Sequence, residues 1–464
     1  MSPSCRIARV LPAVLLLAIG PLARSAPAFV PTSATWGMAD YAAPEPAIQA
    51  AADSVAAPDS TSSTLIFSPT APDSLQWLAT AGEEGFQFYD EDEWLRAPFG
   101  DNLITDPDEW RARDLGLYRS QFLVDYNRVD NLKIGLGAQV QQPNSMNPRL
   151  GGRLEYSFRR ERTMYGFQIE QPLLPPGRLS VGASMVRRTD HNALQQVEDV
   201  ENSLALLLAR QDYRDYFERE GYGAYVSWRV PDFSTVSVHY RNDEYRTLPL
   251  DAGTRSWFFR DTPLRPNPVV DDGNVHSVLL RFERLAHRTK RTRAGLYHWI
   301  ELEKAGDGLG GDFAYSRALA DVRSTVRLSP SNSLAMRGVI GTTFDGALPF
   351  QKQFPLGGVD GLRAHAFDQY VGDQLALAQI EYVIGPYGWR WDMFEAGIHL
   401  LTFVDVGRAW SNPAHNWDIG DQHIQADGGV GISTSDDNMR ITWAKNLQDT
   451  DSDFVFQLRL QRPF

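Results

Sequence analysis

The chain is almost free of cysteine: Cys5 is the only one, and it lies ahead of the first apolar stretch. If the first 28 residues are removed as a leader, no disulfide, thiol chemistry or cysteine metal site is available to the mature protein. Beyond that leader no stretch of about 18 apolar residues occurs, so no transmembrane helix is predicted. The longest compact apolar run, 204–209, is far too short to cross a bilayer.

Motifs of the common enzyme classes are missing as well. The histidines are scattered and none forms an HExxH zinc motif, while GxSxG and phosphate-loop motifs are absent. His276 and Ser277 are adjacent, so on a strand their side chains would point to opposite faces. We therefore expect no catalytic residues, no metal ligands, no cofactor and no enzymatic activity.

Positive charge is scarce too. The formal net charge is −13, and loss of Arg6, Arg9 and Arg24 with a leader would bring it to −16. An acidic chain of this kind is a poor nucleic-acid binder, so no nucleic-acid partner is expected.

The N-terminal residues 1–28 have the three-part pattern of an export signal. A basic start is followed by a short apolar run, 10–19, and by the small residues Ala26-Pro27-Ala28. The pattern predicts a cleaved signal peptide; the alternative is a buried N-terminal helix.

Residues 29–75 are rich in Ala, Pro, Ser, Thr and Asp, a composition that predicts disorder. Residues 76–113 are acidic with interspersed aromatics. This pre-barrel segment fits either a solvated tether or a short docking plug.

From residue 114 onward, segments of roughly ten residues alternate apolar and polar side chains, as strands of a membrane barrel do. Leu132 to Val140 and Ser234 to Tyr240 are clear examples. Sixteen such segments are predicted, at 115–126, 131–141, 150–159, 163–172, 178–188, 221–230, 234–243, 275–285, 294–303, 313–328, 333–344, 373–384, 395–407, 424–434, 438–446 and 454–464.

The even count and the connections both suit a closed barrel with both termini in the periplasm. Short connections fall on one side, whereas the long connections 189–220, 244–274 and 345–372 fall on the other. The sequence therefore predicts an all-β fold: a sixteen-stranded antiparallel transmembrane β-barrel over 114–464, in the outer membrane of a Gram-negative bacterium, with a disordered N-terminal tail. A soluble β-sandwich or an autotransporter-like barrel is the alternative.

The last strand carries a C-terminal signal of outward apolar residues, Phe456, Leu458 and Leu460, and ends in an aromatic, Phe464. Arg462 and Pro463 interrupt the alternation, and because proline cannot donate to a ladder they favour a frayed final strand.

Two motifs resemble those of the BamA/TamA family of outer-membrane assembly and translocation barrels, the bacterial surface antigen superfamily. The first is a long-loop motif that contains Gly357, Gly358, Leu362, Arg363 and Phe367. The second is a Phe-x-Asp-x-Gly strand motif that consists of Phe403, Asp405 and Gly407. In both the family and this sequence, five strands follow the loop motif.

Alternation on the two strands after the loop predicts that Glu381 and Asp405 point into the barrel. We expect the loop to fold inward and Arg363 to pair with one or both carboxylates, since a guanidinium can bind a carboxylate through two parallel hydrogen bonds. The resemblance implies that this contact supports activity; the alternative is an ordinary surface loop with an exposed arginine. The motif departs from the family at Ala364, where glycine is expected, and at His365, where an aromatic is expected.

Members of the family usually carry periplasmic POTRA domains, which bind client polypeptides. Residues 29–113 are barely long enough for one, so none is expected. The resemblance implies insertion or translocation of proteins, or of lipid, at the outer membrane. Its expected partners are outer-membrane lipid, unfolded outer-membrane protein clients and a periplasmic protein; the alternative is a passive pore, surface antigen or anchor.

Overall fold

A computed structural model describes residues 119–140, 146–174, 179–197, 199–230, 234–250, 253–284, 295–329, 332–391, 394–412, 417, 419–420, 422–434, 439–449 and 451–460. The expected signal peptide, disordered segment and acidic pre-barrel segment lie outside the described residues, as does Phe464.

The described chain folds around one sixteen-stranded antiparallel sheet whose strand order follows the sequence. Its strands are β1 Arg119–Asn127, β2 Asn131–Val140, β3 Arg149–Ser157, β4 Arg162–Leu174, β5 Leu179–His191, β6 Tyr216–Val230, β7 Ser234–Thr247, β8 Gly273–Arg284, β9 Gly295–Ala305, β10 Tyr315–Ser329, β11 Asn332–Gly346, β14 Gln374–Trp391, β15 Phe394–Trp410, β16 Gln425–Thr434, β17 Arg440–Asn446 and β18 Val455–Arg459. A separate hairpin pairs β12 Phe354–Leu356 with β13 Tyr370–Gly372. The prediction of sixteen antiparallel strands is confirmed.

The two faces of the sheet differ sharply in polarity, as period-two alternation requires. Outward side chains are large, apolar and exposed: Phe122 is 63% exposed and Leu136 is 64% exposed. Inward side chains include many buried charges, such as Lys133 on β2 and Glu155 on β3. An apolar outside around a charged, packed inside is the reverse of a soluble sandwich core.

The elements missed from the sequence all lie in the connections between strands. Helix α1, Asp199–Ala209, lies in the connection between β5 and β6. Its first turn carries Asp199 and Glu201, which suit the positive end of a helix, and good helix formers follow. In the part of the chain that the structure covers, no helix combines the length and apolarity that crossing a bilayer would need.

The three long connections lie at one end of the sheet and contact one another. Asn192 donates from Nδ2 to the carbonyl of Gln353 at 2.8 Å, which joins the first connection to the third. Gln351 donates to the carbonyl of Asp271 at 2.9 Å, which joins the third to the second. This loop layer covers one end of the sheet and reaches into its interior.

Candidate functional site

The connection between β11 and β14, residues 347–373, lies inside the curved sheet, and we call it the lumen loop. Leu356 and Leu362 are 2% and 0% exposed. Both belong to the main apolar cluster, together with Leu375 and Leu377 on β14. This burial fixes the base of the loop against the inner face of the sixteen-stranded sheet, which we call the wall.

Gly357 and Gly358 make the turn that aims the loop at the wall. Their φ angles are 133° and 77°, values that favour glycine. A Cβ on Gly357 would lie 2.3 Å from the carbonyl oxygen of Ala366, so no larger residue fits the observed backbone. The Gly358 N–H donates to the carbonyl of Leu362 at 3.0 Å, which closes the turn.

Arg363 stands at the tip of this turn and is 4% exposed. Its Nε and Nη2 donate to the two oxygens of Asp405, each at 2.6 Å, and its Nη1 donates to Glu381 Oε1 at 2.6 Å. The guanidinium carbon lies 3.5 Å from the centre of the Phe403 ring, which adds a cation–π contact. The loop arginine therefore meets two buried carboxylates and one aromatic face.

Strand register explains why these groups converge. Asp405 on β15 lies directly opposite Gln379 on β14, and Glu381 is two residues further along the same face. Such diagonal neighbours are within reach of one long side chain. Gln379 Nε2 also donates to Asp405 Oδ1 at 3.1 Å and to the carbonyl of Gly361 at 2.9 Å, so it ties the loop backbone to the same carboxylate.

Burial lowers the pKa of the Arg363 guanidinium, but Asp405 and then Glu381 outweigh it and hold that pKa above its ordinary range. Arg363 is therefore charged at any physiological pH. An uncompensated charge at this depth is very unfavourable, so each partner depends on the others.

The two positions that depart from the family pattern also bind the wall. The N–H of Ala364 donates to Asp427 Oδ2 at 2.7 Å, and His365 Nδ1 lies 3.0 Å from Asp427 Oδ1. His365 Nε2 lies 3.3 Å from Gln425 Oε1. A histidine here thus extends the loop contacts to β16, a role that the sequence did not indicate.

Phe367 has a different environment, away from the carboxylates. Its half-buried ring lies 4.4 Å from the guanidinium carbon of Arg265 and 6.2 Å from the ring of Tyr213, both from neighbouring connections. Phe367 thus contacts the loop layer, whereas Arg363 contacts the wall.

Gly407 completes the strand motif by allowing close approach. A Cβ there would lie 2.6 Å from the carbonyl oxygen of Ala376, on the neighbouring strand. Gly429 allows the Phe403 ring to approach closely in the same way, because a Cβ on Gly429 would lie 2.5 Å from the nearest atom of that ring. Small residues at these points leave room for Phe403 and the loop.

The final strand also holds the lumen loop. Gln457 Nε2 donates to the carbonyl of Arg363 at 2.9 Å, and Arg459 Nη1 donates to the carbonyl of Val359 at 3.2 Å. On the opposite face Phe456 and Leu458 are 57% and 44% exposed. Of the other C-terminal positions, Leu460 follows β18 and is half-buried.

The seam between the first and last strands is bridged by side chains of α1. In the residues described, no ladder joins β1 to β18. Instead, Glu201 accepts from Arg459 Nε at 2.7 Å and from the Leu460 N–H at 3.1 Å. Two residues along, Ser203 Oγ accepts from the Tyr126 N–H at 2.9 Å. One helix thus binds both strands that border the seam.

A second pair of carboxylates, Asp368 and Asp215, lies in the loop layer. Asp368 accepts from Gln195 Nε2 at 2.6 Å and lies 4.0 Å from Arg265. Burial and then the carboxylate of Asp215 hold the pKa of Asp368 well above its usual range. Across the described ranges, no group of three or more His, Cys, Asp or Glu residues is arranged to hold a metal ion.

Comparison with known proteins gives fold-level similarity. No family model and no curated protein matches the sequence. The crystal structure of BamA from Haemophilus ducreyi lacking POTRA domains 1–3 matches with a TM-score of 0.51 and 14% identity, over 75% of this chain and 70% of that one.

Two further matches have lower TM-scores. CdiB from Acinetobacter baumannii gives 0.39 with 14% identity, over 74% of this chain and 59% of that one. CdiB from Escherichia coli gives 0.42 with 11% identity, over 74% of this chain and 62% of that one. By its sixteen-stranded sheet and its similarity to BamA, the chain has the fold of a BamA-like barrel.

Proposed function

We propose that this protein assists the insertion or translocation of polypeptides at the outer membrane, with the seam between β1 and β18 as the place where a client engages. The observation that carries this proposal is the seam itself: within the described residues no backbone ladder joins β1 to β18, and side chains of Glu201 and Ser203 contact the two strands instead. Side-chain contacts of this kind can be exchanged without breaking a continuous sheet.

The outward apolar face supports a position in the membrane, with lipid as its first partner. The docked lumen loop favours a structural role for Arg363. Through Arg363 the loop holds the inner face of β14 to β18 rigid next to the seam. Unfolded outer-membrane proteins and a periplasmic protein are the further partners proposed, and no catalytic step is involved.

The passive-pore alternative is less well supported. The lumen loop fills the space between β14, β15 and β18 with buried side chains, including Leu362 and Arg363. A wide water-filled channel would need that space. We therefore expect the reconstituted protein to conduct ions poorly.

Cross-linking of the seam tests the proposal. In a Cys5→Ser background, one cysteine replaces Val124 on β1 and another replaces Leu458 on β18, and a flexible bismaleimide linker with an internal disulfide joins them, because a direct disulfide needs Cα atoms within about 7 Å. The readout is the folding rate of an unfolded eight-stranded outer-membrane barrel, used as a probe client, on vesicles that contain the protein. We expect the protein to accelerate folding, the cross-link to abolish the acceleration, and reductant, which cleaves the linker, to restore it.

A matched control places the same cross-link away from the seam. Val124 and Ile134 are directly opposite on β1 and β2. The Tyr126 N–H points to Ser203 and away from β2. The backbone of Val124, two residues earlier on β1, has the same orientation, so Val124 and Ile134 form a non-hydrogen-bonded pair, the kind with the shorter distance between Cα atoms. Cross-linking of a Val124→Cys, Ile134→Cys variant should leave the acceleration intact. Equal folding rates with the seam locked and open would refute the seam proposal.

A further inference from the structure

The connection between β7 and β8 presents three consecutive aromatic side chains to solvent. Trp257, Phe258 and Phe259 are 61%, 60% and 66% exposed. Exposed arginines flank them, in the order Arg255-Ser256-Trp257-Phe258-Phe259-Arg260. We call residues 255–260 the aromatic tip. Isolated exposed apolar residues need no explanation, but a contiguous group of three large ones marks an interaction surface.

The aromatic tip is attached to the outward face of the sheet. The Tyr126 hydroxyl accepts from the Arg255 N–H at 2.9 Å and donates to the Arg255 carbonyl at 2.7 Å. By alternation, Tyr126 shares its face of β1 with Phe122 and Val124, which are 63% and 42% exposed. The tip therefore continues the apolar outer surface of β1 at the end of the strand.

The backbone of the tip is held firmly, so its exposure is a built feature. Ser256 Oγ donates to the Leu206 carbonyl and the Trp257 N–H donates to the Leu207 carbonyl, both at 2.7 Å. These bonds satisfy carbonyls at the C-terminal end of α1. Phe259 has a φ of 55°, a strained value for a bulky residue. Strain held in place beside exposed aromatics is typical of a functional contact.

Charge identifies the kind of surface that the tip fits. Arg260 Nε donates to the Ser256 carbonyl at 3.2 Å, and the next residue in the sequence is the acidic Asp261. Arg255 and Arg260 are exposed at the two ends of the aromatic group, within a chain whose net charge is negative. Aromatic rings at the level of the headgroups, with arginines beside anionic phosphates, are how proteins settle at a membrane interface.

We propose that the aromatic tip docks into the lipid surface beside β1, with its rings at the acyl boundary and Arg255 and Arg260 at anionic headgroups. Through its bonds to α1, the docked tip connects the surrounding lipid to the helix that spans the seam. This inference rests on the proposed function in one respect, that the outward face of the sheet lies in a membrane.

Polarity-sensitive fluorophores on single cysteines test the inference. The full-length chain with Cys5→Ser is reconstituted in phosphatidylglycerol vesicles and in phosphatidylcholine vesicles, with a label at residue 257, 258 or 259. The comparison positions are Leu136, on the outward face of β2, and Gly308, which is exposed in another connection and where an added Cβ would meet no atom within 4 Å. We expect the tip labels to be quenched by lipid-borne quenchers as at 136, and the 308 label to stay aqueous.

Each outcome decides a separate claim. Aqueous labels at the tip with a lipid-quenched label at 136 would overturn the docking proposal, and a protein partner would then account for the aromatics. An aqueous label at 136 would overturn the membrane barrel itself. Arg255→Gln with Arg260→Gln should remove any preference of the tip for phosphatidylglycerol; a preference that survives both changes would overturn the role of the arginines.

Discussion

Arg363 and Asp405 form a two-pronged ion pair, 42 residues apart in sequence, with both bonds at 2.6 Å and both side chains almost wholly buried. Because the arginine comes from a loop and the aspartate from the wall, the pair fixes the position of a whole connection. Breaking one side leaves a buried charge without its partner.

Replacing Arg363 with Ala should destabilise the folded barrel by about 3–5 kcal/mol, the range seen when one member of a buried ion pair is removed. Arg363→Lys should recover only part of the loss, since an ammonium cannot bind Asp405 through two parallel bonds. Thermal unfolding in detergent micelles measures both effects. The matched control is Lys304→Ala, which breaks a solvent-exposed pair with Asp307 and should leave the midpoint unchanged.

Gly357→Ala should displace the lumen loop without touching any charge. The new Cβ would meet the Ala366 carbonyl oxygen, and the φ of 133° is itself unfavourable for alanine. Protease cleavage within the loop should therefore rise several-fold. Gly338→Ala is the control, because a Cβ on Gly338 has no atom within 4 Å. Equal cleavage of the two variants would contradict the tight turn described above.

Glu201→Gln should loosen the seam. The change weakens the bonds to Arg459 and Leu460, because a neutral amide is a poorer acceptor than a carboxylate. Spin labels at residues 122 and 458, on the outward faces of β1 and β18, should give a broader distance distribution. Leu208→Gln, on an exposed position of the same helix, should not broaden it. An unchanged distribution in Glu201→Gln would show that α1 does not restrain the seam.

Asp368 should make the loop layer sensitive to pH. Its folded-state pKa is raised, by burial first and then by Asp215, so folding favours its protonated form. This stabilisation is complete below the ordinary aspartate pKa of about 4 and declines as the pH rises through the folded-state value. Asp368→Asn should therefore raise the unfolding midpoint at neutral pH and flatten its dependence on pH. Asp307→Asn, an exposed acid, should change neither.

Much of the architecture could be predicted because strand alternation is a local signal. The alternation predicts each of the sixteen strands, with ends that differ by a few residues from those observed. The largest difference is on β14, which continues to Trp391 although its regular alternation stops near residue 384. Those additional residues are held by pairing with β15, such as Trp389 with Ala396, and a partner strand is invisible in a single segment.

The structure of the connections is harder to predict from the sequence because it depends on contacts between residues far apart in the chain. The sequence signal for helix α1 is the apolar run 204–209, and six residues are too few to identify a helix. Arg440 contacts Glu381 at 3.0 Å from 59 residues away, and nothing in the local sequence marks it. The family resemblance located Arg363 and Asp405, whereas the wall contacts of Ala364 and His365 come from residues that break the family pattern.

Gln457 has a consequence for the order of biogenesis. It belongs to the last strand of the sheet, yet its side chain binds the backbone of Arg363, 94 residues earlier. The loop can acquire this bond only once β18 is in place, and contacts so distant in sequence form late. β14 and β15 can hold the loop earlier through Glu381 and Asp405, so the last strand adds the final restraint, and the loop becomes fully fixed only when the sheet is complete.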